Sequence, residues 1–343
     1  MSPTTALVTG GSGYFGALLV EHLLTAGYQV RVLDLVDAAD RAADVELVRG
    51  DIRDPGTVAR AVAGVDVVFH NVAQVPLARD RNLFESVNVG GTAVLLGACE
   101  RAGVAKVVHT SSSAVFGVPE ANPVTRATEP RPVEPYGRAK LDAELLCRAA
   151  ASRGLDVSVV RPRTILGHGR LGIFGILFDW IADGASVPVL GSGDNLYQFV
   201  HAADLADACR RAAERPGPAV YNIGAERFGT MREALEGLCE HAGTGARVRS
   251  LPAGPTAAAM RVSSALGMSP FAPYHWKMYG RSLWFDVTPA RDELGWRARW
   301  SNEEMLCDSY DWFLAQRHVV HTGASAHRRT ARQGLVRLAK RLL

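Results

Sequence analysis

The chain has 343 residues, 48% of them hydrophobic and 21% charged, the balance of a globular protein with one large or two smaller domains. Its net charge of +3 hides an asymmetry: seven of the 38 basic residues and none of the 35 acidic ones lie in 317–343, so the body holds 31 bases against 35 acids. These features exclude several classes: an acidic body is no nucleic-acid binder, the polar start Met1-Ser2-Pro3-Thr4-Thr5 is no signal peptide, no apolar run reaches the ~18 residues of a membrane span, and five scattered cysteines make neither a C-x-x-C pair nor a disulfide frame.

In chain order, Ala6–Gly10 reads as a strand ending at glycines, and Tyr14–Ala26 as a helix with apolar spacing that stops at Gly27. Val30–Asp34, Val45–Asp51 and Val65–Ala73 read as buried parallel strands, with a helix over Thr57–Ala63. Leu83–Ala102 is predicted helix, Lys106–Ser112 strand, Tyr136–Arg153 helix and Asp156–Pro162 strand. Strands alternating with helices of this length make βαβ units, so the fold class is α/β, a Rossmann-type doubly wound parallel sheet. After Pro162 the rhythm changes. Gly172–Gly184 reads as an apolar helix and Val187–Leu190 as a strand. Phe199–Ala213 enters a helix, Val220–Ile223 is a strand, and Met231–His241 and Asn302–Gln316 are helices. The stretch 254–279 is rich in Gly, Pro, Met and aromatics. The division expected is 1–165 as the nucleotide-binding core and 166–316 as a smaller substrate lobe with some segments returning to the core. Residues 317–343 form a basic amphipathic tail.

The segment Thr9-Gly10-Gly11-Ser12-Gly13-Tyr14-Phe15-Gly16 lies where a strand hands over to a helix. Glycines at 10, 13 and 16 suit a tight turn with backbone close to a pyrophosphate, and the helix N-terminus offers N–H groups and a positive dipole end. Tyr14 and Phe15 belong to the same cofactor-binding turn. Asp34, 18 residues past Gly16, ends the second strand, where a carboxylate accepts the ribose hydroxyls of NAD and repels a 2′-phosphate. Leu35-Val36-Asp37 brings no Arg for NADP, so NAD is the cofactor expected. Asp51-Ile52 would suit the adenine amine, and Val72-Ala73 would pass near the nicotinamide ribose.

Tyr136-Gly137-Arg138-Ala139-Lys140 opens a helix and puts Tyr136 and Lys140 one turn apart on one face. A phenol of ordinary pKa ~10 is a poor base at neutral pH. A nearby ammonium lowers it, so the pair can move a proton at a carbinol oxygen. One strand earlier the cluster Ser111-Ser112-Ser113 can hydrogen-bond the same oxygen. Y-x-x-x-K or a serine cluster alone is a common accident; the order of glycine turn, strand-end Asp, serine cluster and Y-x-x-x-K is not.

With those motifs, and with GDIRD and QFVHAADLADA in the same order, residues 4–316 resemble the extended short-chain dehydrogenase/reductase superfamily, its NAD-dependent epimerase/dehydratase group. The resemblance implies Ser112, Tyr136 and Lys140 as the catalytic set, with Ser112 chosen by the glycine five residues on. It implies Asn88 near the catalytic helix, Pro162 beside the nicotinamide, and a homodimer through the Leu83–Ala102 and Tyr136–Arg153 helices. A non-catalytic NAD-sensing scaffold would call for loss of that set, which is intact.

Dehydratases of the group carry Asp-Glu after the catalytic hydroxyl and decarboxylases a Glu two positions on; this chain has Ser113-Ala114. Elimination is therefore disfavoured, leaving alcohol–ketone interconversion by hydride transfer. Sugar-nucleotide enzymes of the group grip the diphosphate with an Arg where Tyr197 stands, and carry Asn where Thr164 stands. Arg163, Arg170 or Arg281 could compensate, and Thr occurs at that place in uronic-acid epimerases. The aromatic stretch Leu266–Trp284 would equally wall a lipid-like substrate. Two readings stay open: a sugar-nucleotide epimerase-type enzyme, and a 3β-hydroxysteroid or lipid-type dehydrogenase related to it, with Arg163, Thr164, Tyr197 and Arg281 as candidate substrate contacts in either.

No histidines fall at metal-ligand spacing, so no metal is expected. His168 is a candidate substrate contact and His201 a structural residue. The location expected is cytoplasmic. The tail 331–343, with Leu335, Leu338, Ala339 and Leu342 on one stripe and bases elsewhere, suits peripheral contact with an anionic membrane, or docking on its own body.

Overall fold

The computed structural model describes residues 3–38, 40–74, 82–266, 278–317 and 340. The strands are β1 (Thr5–Thr9), β2 (Gln29–Asp34), β3 (Glu46–Arg49), β4 (Val67–His70), β5 (Lys106–Thr110), β6 (Val157–Pro162), β7 (Thr164–Leu166), β8 (Val187–Leu190), β9 (Phe199–His201), β10 (Ala219–Ile223) and β11 (Val248–Leu251). Seven of them form one sheet in the order β10-β6-β5-β4-β1-β2-β3, every pair parallel. β1, β4 and β5 are buried over nearly all their residues, as a sheet covered on both faces demands.

Helices α1 (Tyr14–Thr25), α2 (Pro55–Val62), α3 (Thr92–Ala102) and α4 (Pro135–Ser152) make the crossovers. Leu19, Leu23 and Val32 pack on one face of the sheet; Leu7, Val68, Leu95 and Val107 pack on the other. The strand order reverses between β1 and β4. Their carboxyl ends, at Gly10 and Asn71, therefore diverge and open the crevice where doubly wound sheets bind ligands.

The remaining helices are α5 (Gly172–Ala182), α6 (Ala202–Glu214), α7 (Met231–Ala242), α8 (Ala253–Ala265), α9 (Thr288–Leu294) and α10 (Asn302–Gln316). Two small parallel sheets, β11-β8 and β7-β9, join α5, α7 and α10 around Phe178, Trp180, Ile181, Leu238, Met305 and Tyr310. Helix α6 and strand β10 go the other way: β10 lies on the edge of the main sheet beside β6, and Leu205, Ala208 and Cys209 of α6 pack into the core under α1. The chain thus alternates between the two bodies, α6 and β10 being segments that return to the core.

Several elements differ from the sequence reading. The helix predicted over Leu83–Ala102 starts as a π-helical turn, Phe84–Gly91, before α3. The Thr92 hydroxyl donates to the Asn88 carbonyl at 2.6 Å, and a Cβ on Gly91 would stand 2.6 Å from Ile52, so this turn is widened where it presses on the loop after β3. Strands β7 and β11 and helix α9 are too short for a periodic signal, and α8 is Ala-rich with no buried residue. Most of the aromatic stretch Leu266–Trp284 and of the tail 331–343 lies outside the described residues. Lys340 is the exception: its Nζ meets Asp179 of α5 at 3.0 Å and Asp183, at that helix's C-terminal cap, at 2.7 Å. No helix of the described residues is long and apolar enough to cross a membrane.

Candidate active site

One cleft of about 1000 Å³ runs from the carboxyl ends of β1 and β2, past β4 and β5, to α5, β8, β11 and α8. Its first half is built from backbone. Gly10 has φ 73°, a conformation that favours glycine, and a Cβ there would meet Val72 N at 3.1 Å. A Cβ on Gly16 would fall 2.0 Å from the Gly10 carbonyl oxygen. Sequence reasoning gave these glycines to a tight turn that lets backbone approach a pyrophosphate; at Gly16 the space is taken by the turn itself, on which α1 rests. Helix α1 has no side-chain cap at Gly13, so its first N–H groups face the cleft for an anion.

Asp34 holds the rim of this half. Its carboxylate accepts from Ser12 N at 3.0 Å and Val36 N at 3.3 Å. Burial raises its pKa, and those backbone N–H groups partly offset the rise. Asp51, on the same rim, is paired with Arg53 at 2.6 Å, a contact that lowers its pKa. Tyr14, Phe15, Ile52, Val72, Ala73 and Pro162 also line the cleft. An uncapped helix terminus, close-packed glycines and a rim carboxylate fit a dinucleotide with unmodified ribose hydroxyls.

Ser111, Ser112, Ser113, Tyr136 and Lys140 line the middle of the cleft. Their three neighbouring hydroxyls are not equivalent. Ser111 Oγ donates to Glu144 at 2.5 Å and is committed below the surface. Ser112 caps the 3₁₀ turn Ser113–Phe116, accepting from Ala114 N at 3.1 Å, which leaves its own proton for a ligand. Helix α4 starts at Pro135, and Glu134 caps it through Tyr136 N at 2.9 Å and Gly137 N at 2.6 Å. A Cβ on Gly137 would lie 2.4 Å from the Ala114 carbonyl, so the helix seats directly on the serine turn. Lys140 is buried and donates to the Thr110 carbonyl at 2.8 Å. Burial pulls its pKa from 10.5 down to about 8, against a raising effect of Cys147 and Glu144. Glu144, one turn further on, receives Arg161 of β6 through Nε at 2.9 Å and Nη2 at 2.5 Å. This buried pair bolts α4 to the sheet. The sequence reading missed it, although Glu144 follows Lys140 at helical spacing.

Other expected contacts fall elsewhere. Asn88 does not line the cleft, but it stands on the turn that packs against α4, the helix the resemblance put it near; its side chain exchanges bonds with Gln74 N (2.7 Å) and Gln74 O (3.1 Å) and braces the loop after β4. Arg281 is exposed and outside the lining, on the bend that precedes Leu283, the residue paired beside Tyr197. His168 is exposed on Asp308 at 3.0 Å, also outside the lining. His201 caps α6, as its structural reading implied. Arg163, Thr164 and Tyr197 do line the cleft, with Thr164 and Tyr197 hydroxyls 3.0 Å apart. Among the described residues no His, Cys, Asp and Glu group could hold a metal.

Residues 6–224 match the NAD dependent epimerase/dehydratase family. The chain belongs to that family. Among relatives of this family member are the uncharacterized protein y4nG of Sinorhizobium fredii, 52% identical over 97% of this chain and 85% of the relative, and a UDP-glucose 4-epimerase of Mycolicibacterium smegmatis, 30% identical over 90% and 97%. A 4-hydroxy-2-methyl-3-oxo-4-farnesyl-3,4-dihydroquinoline-1-oxide ketoreductase of Stigmatella aurantiaca is also 30% identical, over 94% and 98%. The crystal structure of a UDP-glucose 4-epimerase with UDP-glucose from Thermotoga maritima superposes with a TM-score of 0.78 at 25% identity, over 92% of this chain and all of that one. The protein is therefore an NAD-dependent enzyme of the extended short-chain dehydrogenase type.

Proposed function

We propose that this enzyme interconverts a secondary alcohol and a ketone on a sugar nucleotide, as an epimerase-type catalyst with Ser112, Tyr136 and Lys140 as its catalytic residues. The observation that carries the reaction type is the set of acids in the cleft. Among its described lining residues the only carboxylates are Asp34 and Asp51, both at the cofactor rim. Beside Ser112 stand Ser113 and Ala114, so elimination has no carboxyl group to drive it.

NAD held in the first half of the cleft would supply the hydride acceptor and donor for the carbinol carbon. Ser112 donates a hydrogen bond to the reacting oxygen. The Tyr136 hydroxyl, as phenolate, takes the proton from that oxygen, and gives it back when the ketone is reduced. The Lys140 ammonium, held by the Thr110 carbonyl, favours the phenolate by its charge. Burial excludes water around Lys140 and strengthens that interaction. The sugar-nucleotide class rests on the epimerase relatives and neighbours.

A second reading, a ketoreductase for a lipid-like substrate, is favoured by the far half of the cleft. Ile173, Phe174, Leu177, Trp180, Leu190 and Leu251 line it, and the relative that reduces a farnesylated ring supports the same class. One experiment separates the two. The purified enzyme is assayed for C4 inversion of UDP-glucose and UDP-glucuronate with no added NAD, and for NADPH-free, NADH-dependent ketone reduction. Inversion without net NADH supports the epimerase; NADH consumption on an apolar ketone, with no inversion of either nucleotide, overturns it.

A further inference from the structure

Two arginines two residues apart are equally buried and oppositely served. Arg161 is 2% exposed and its fork lies on Glu144. Arg163 is 1% exposed, and its Nε, Nη1 and Nη2 have no hydrogen-bond partner. Two ring faces, Tyr197 at 4.8 Å and Phe285 at 5.6 Å, lie against the Arg163 guanidinium. Rings attract a cation but satisfy none of its five N–H donors in line. A buried guanidinium that forms no ion pair among the described residues is costly unless an anion completes it. Arg163 and Tyr197 both line the substrate half of the cleft, next to the Thr164–Tyr197 hydroxyl pair. A second unserved donor lies in the same half: Trp180, 4% exposed, lines the cleft with an Nε1 that has no partner.

We propose that Arg163 is the anion anchor of the substrate and that Trp180 donates to an acceptor on its flat, apolar end. The proposal deepens the sugar-nucleotide reading and rests on it. An oxyanion matches the guanidinium fork, and its entry goes with a shift of the Tyr197 ring, because no Arg163 nitrogen is solvent-exposed in this arrangement. A nucleotide sugar has two such groups, the diphosphate and, in a uronate, the sugar carboxylate. A base carbonyl is the acceptor for Trp180.

The test is calorimetric titration of the NAD-saturated, full-length enzyme with UDP, uridine, UDP-glucose, UDP-glucuronate and pyrophosphate, alongside thermal melts. The variants are Arg163→Met, Arg163→Lys and Trp180→Phe. Arg163→Met is expected to weaken UDP about thirtyfold or more and leave uridine unchanged. Its ligand-free melting temperature should rise, since the unpaired charge is gone. Trp180→Phe should weaken UDP and uridine alike by about three- to tenfold and leave pyrophosphate unchanged. If Arg163→Met spares UDP but erases a preference for UDP-glucuronate over UDP-glucose, Arg163 still holds the anion, and that anion is the carboxylate. Arg163→Met that binds every probe like the wild type, or that melts lower with all affinities retained, overturns the proposal. Should Arg163→Met not fold, Arg163→Lys decides: about a tenfold loss confined to the anionic probes supports the anchor, and no loss overturns it. If the wild type binds no nucleotide, the sugar-nucleotide reading falls by itself. Pyrophosphate then judges Arg163, with a melting shift in wild type absent from Arg163→Met in favour, and equal shifts against.

Discussion

The two halves of the cleft are built by opposite means. The cofactor half is backbone: a glycine turn, the bare N-terminus of α1 and a strand-end carboxylate held by two backbone N–H groups, all within the first 36 residues. The substrate half is side chains scattered between Arg163 and Leu306, among them residues of β7, α5, β8, β9, α7, β11 and α8, apolar except for arginines and hydroxyls. Local chain geometry recognises the common ligand, and long-range packing selects the particular one. The proposed catalytic residues sit on the seam, where α4 presses on the serine turn.

If the seam carries the chemistry, Tyr136→Phe should cost about a thousandfold in kcat while NAD binding stays within twofold, measured by turnover and by nucleotide titration. A comparable loss of NAD affinity would place Tyr136 in the cofactor half instead. Gly16→Ala tests whether that half is a packed object rather than a mere clearance. With 2.0 Å to the Gly10 carbonyl, it should destabilise the fold by about 1–3 kcal/mol in denaturant melts and weaken NAD with it. Asp34→Asn keeps size and removes charge; NAD affinity should fall about tenfold or more and the preference over NADP should shrink, read by fluorescence titration with both nucleotides.

The smallest effect is on pH. Lys140 is held near 8, below its ordinary 10.5, because burial disfavours the cation. Its charge is present below that pH and lost above it, so kcat/KM should fall on an alkaline limb near 8, about tenfold per unit. Stability runs the other way. The buried cation destabilises the fold below about pH 8, and the burden lifts as pH rises toward 10.5. Lys140→Met should therefore melt higher than wild type at pH 7, with an advantage that narrows above pH 8. An alkaline limb unmoved by that depressed lysine would show that another group sets it.

The parts legible in advance share one property: each is a run of adjacent residues. The β1–α1 turn, Asp34 at a strand end and Tyr136 with Lys140 at one helical turn need no partner from elsewhere to be recognised. The exceptions mark where contacts between distant segments took over. Arg281 points to solvent. The Glu144–Arg161 pair spans 17 residues and two elements, so neither member carries a signal by itself.

By itself the amino-acid sequence determined the doubly wound sheet, the glycine turn for NAD and the placing of Tyr136 and Lys140 one turn apart, because hydrophobic period, glycine dihedrals and i, i+4 spacing are local properties of a chain, whereas Ser112 was implied only by the family resemblance. Only the tertiary structure decided that Ser111 is committed to Glu144, how α6 and β10 return to the main sheet, and that Arg161 is paired while Arg163 is not. Those depend on burial and on what faces each group across the fold, and two arginines that look alike in the sequence differ because only one of them meets a carboxylate.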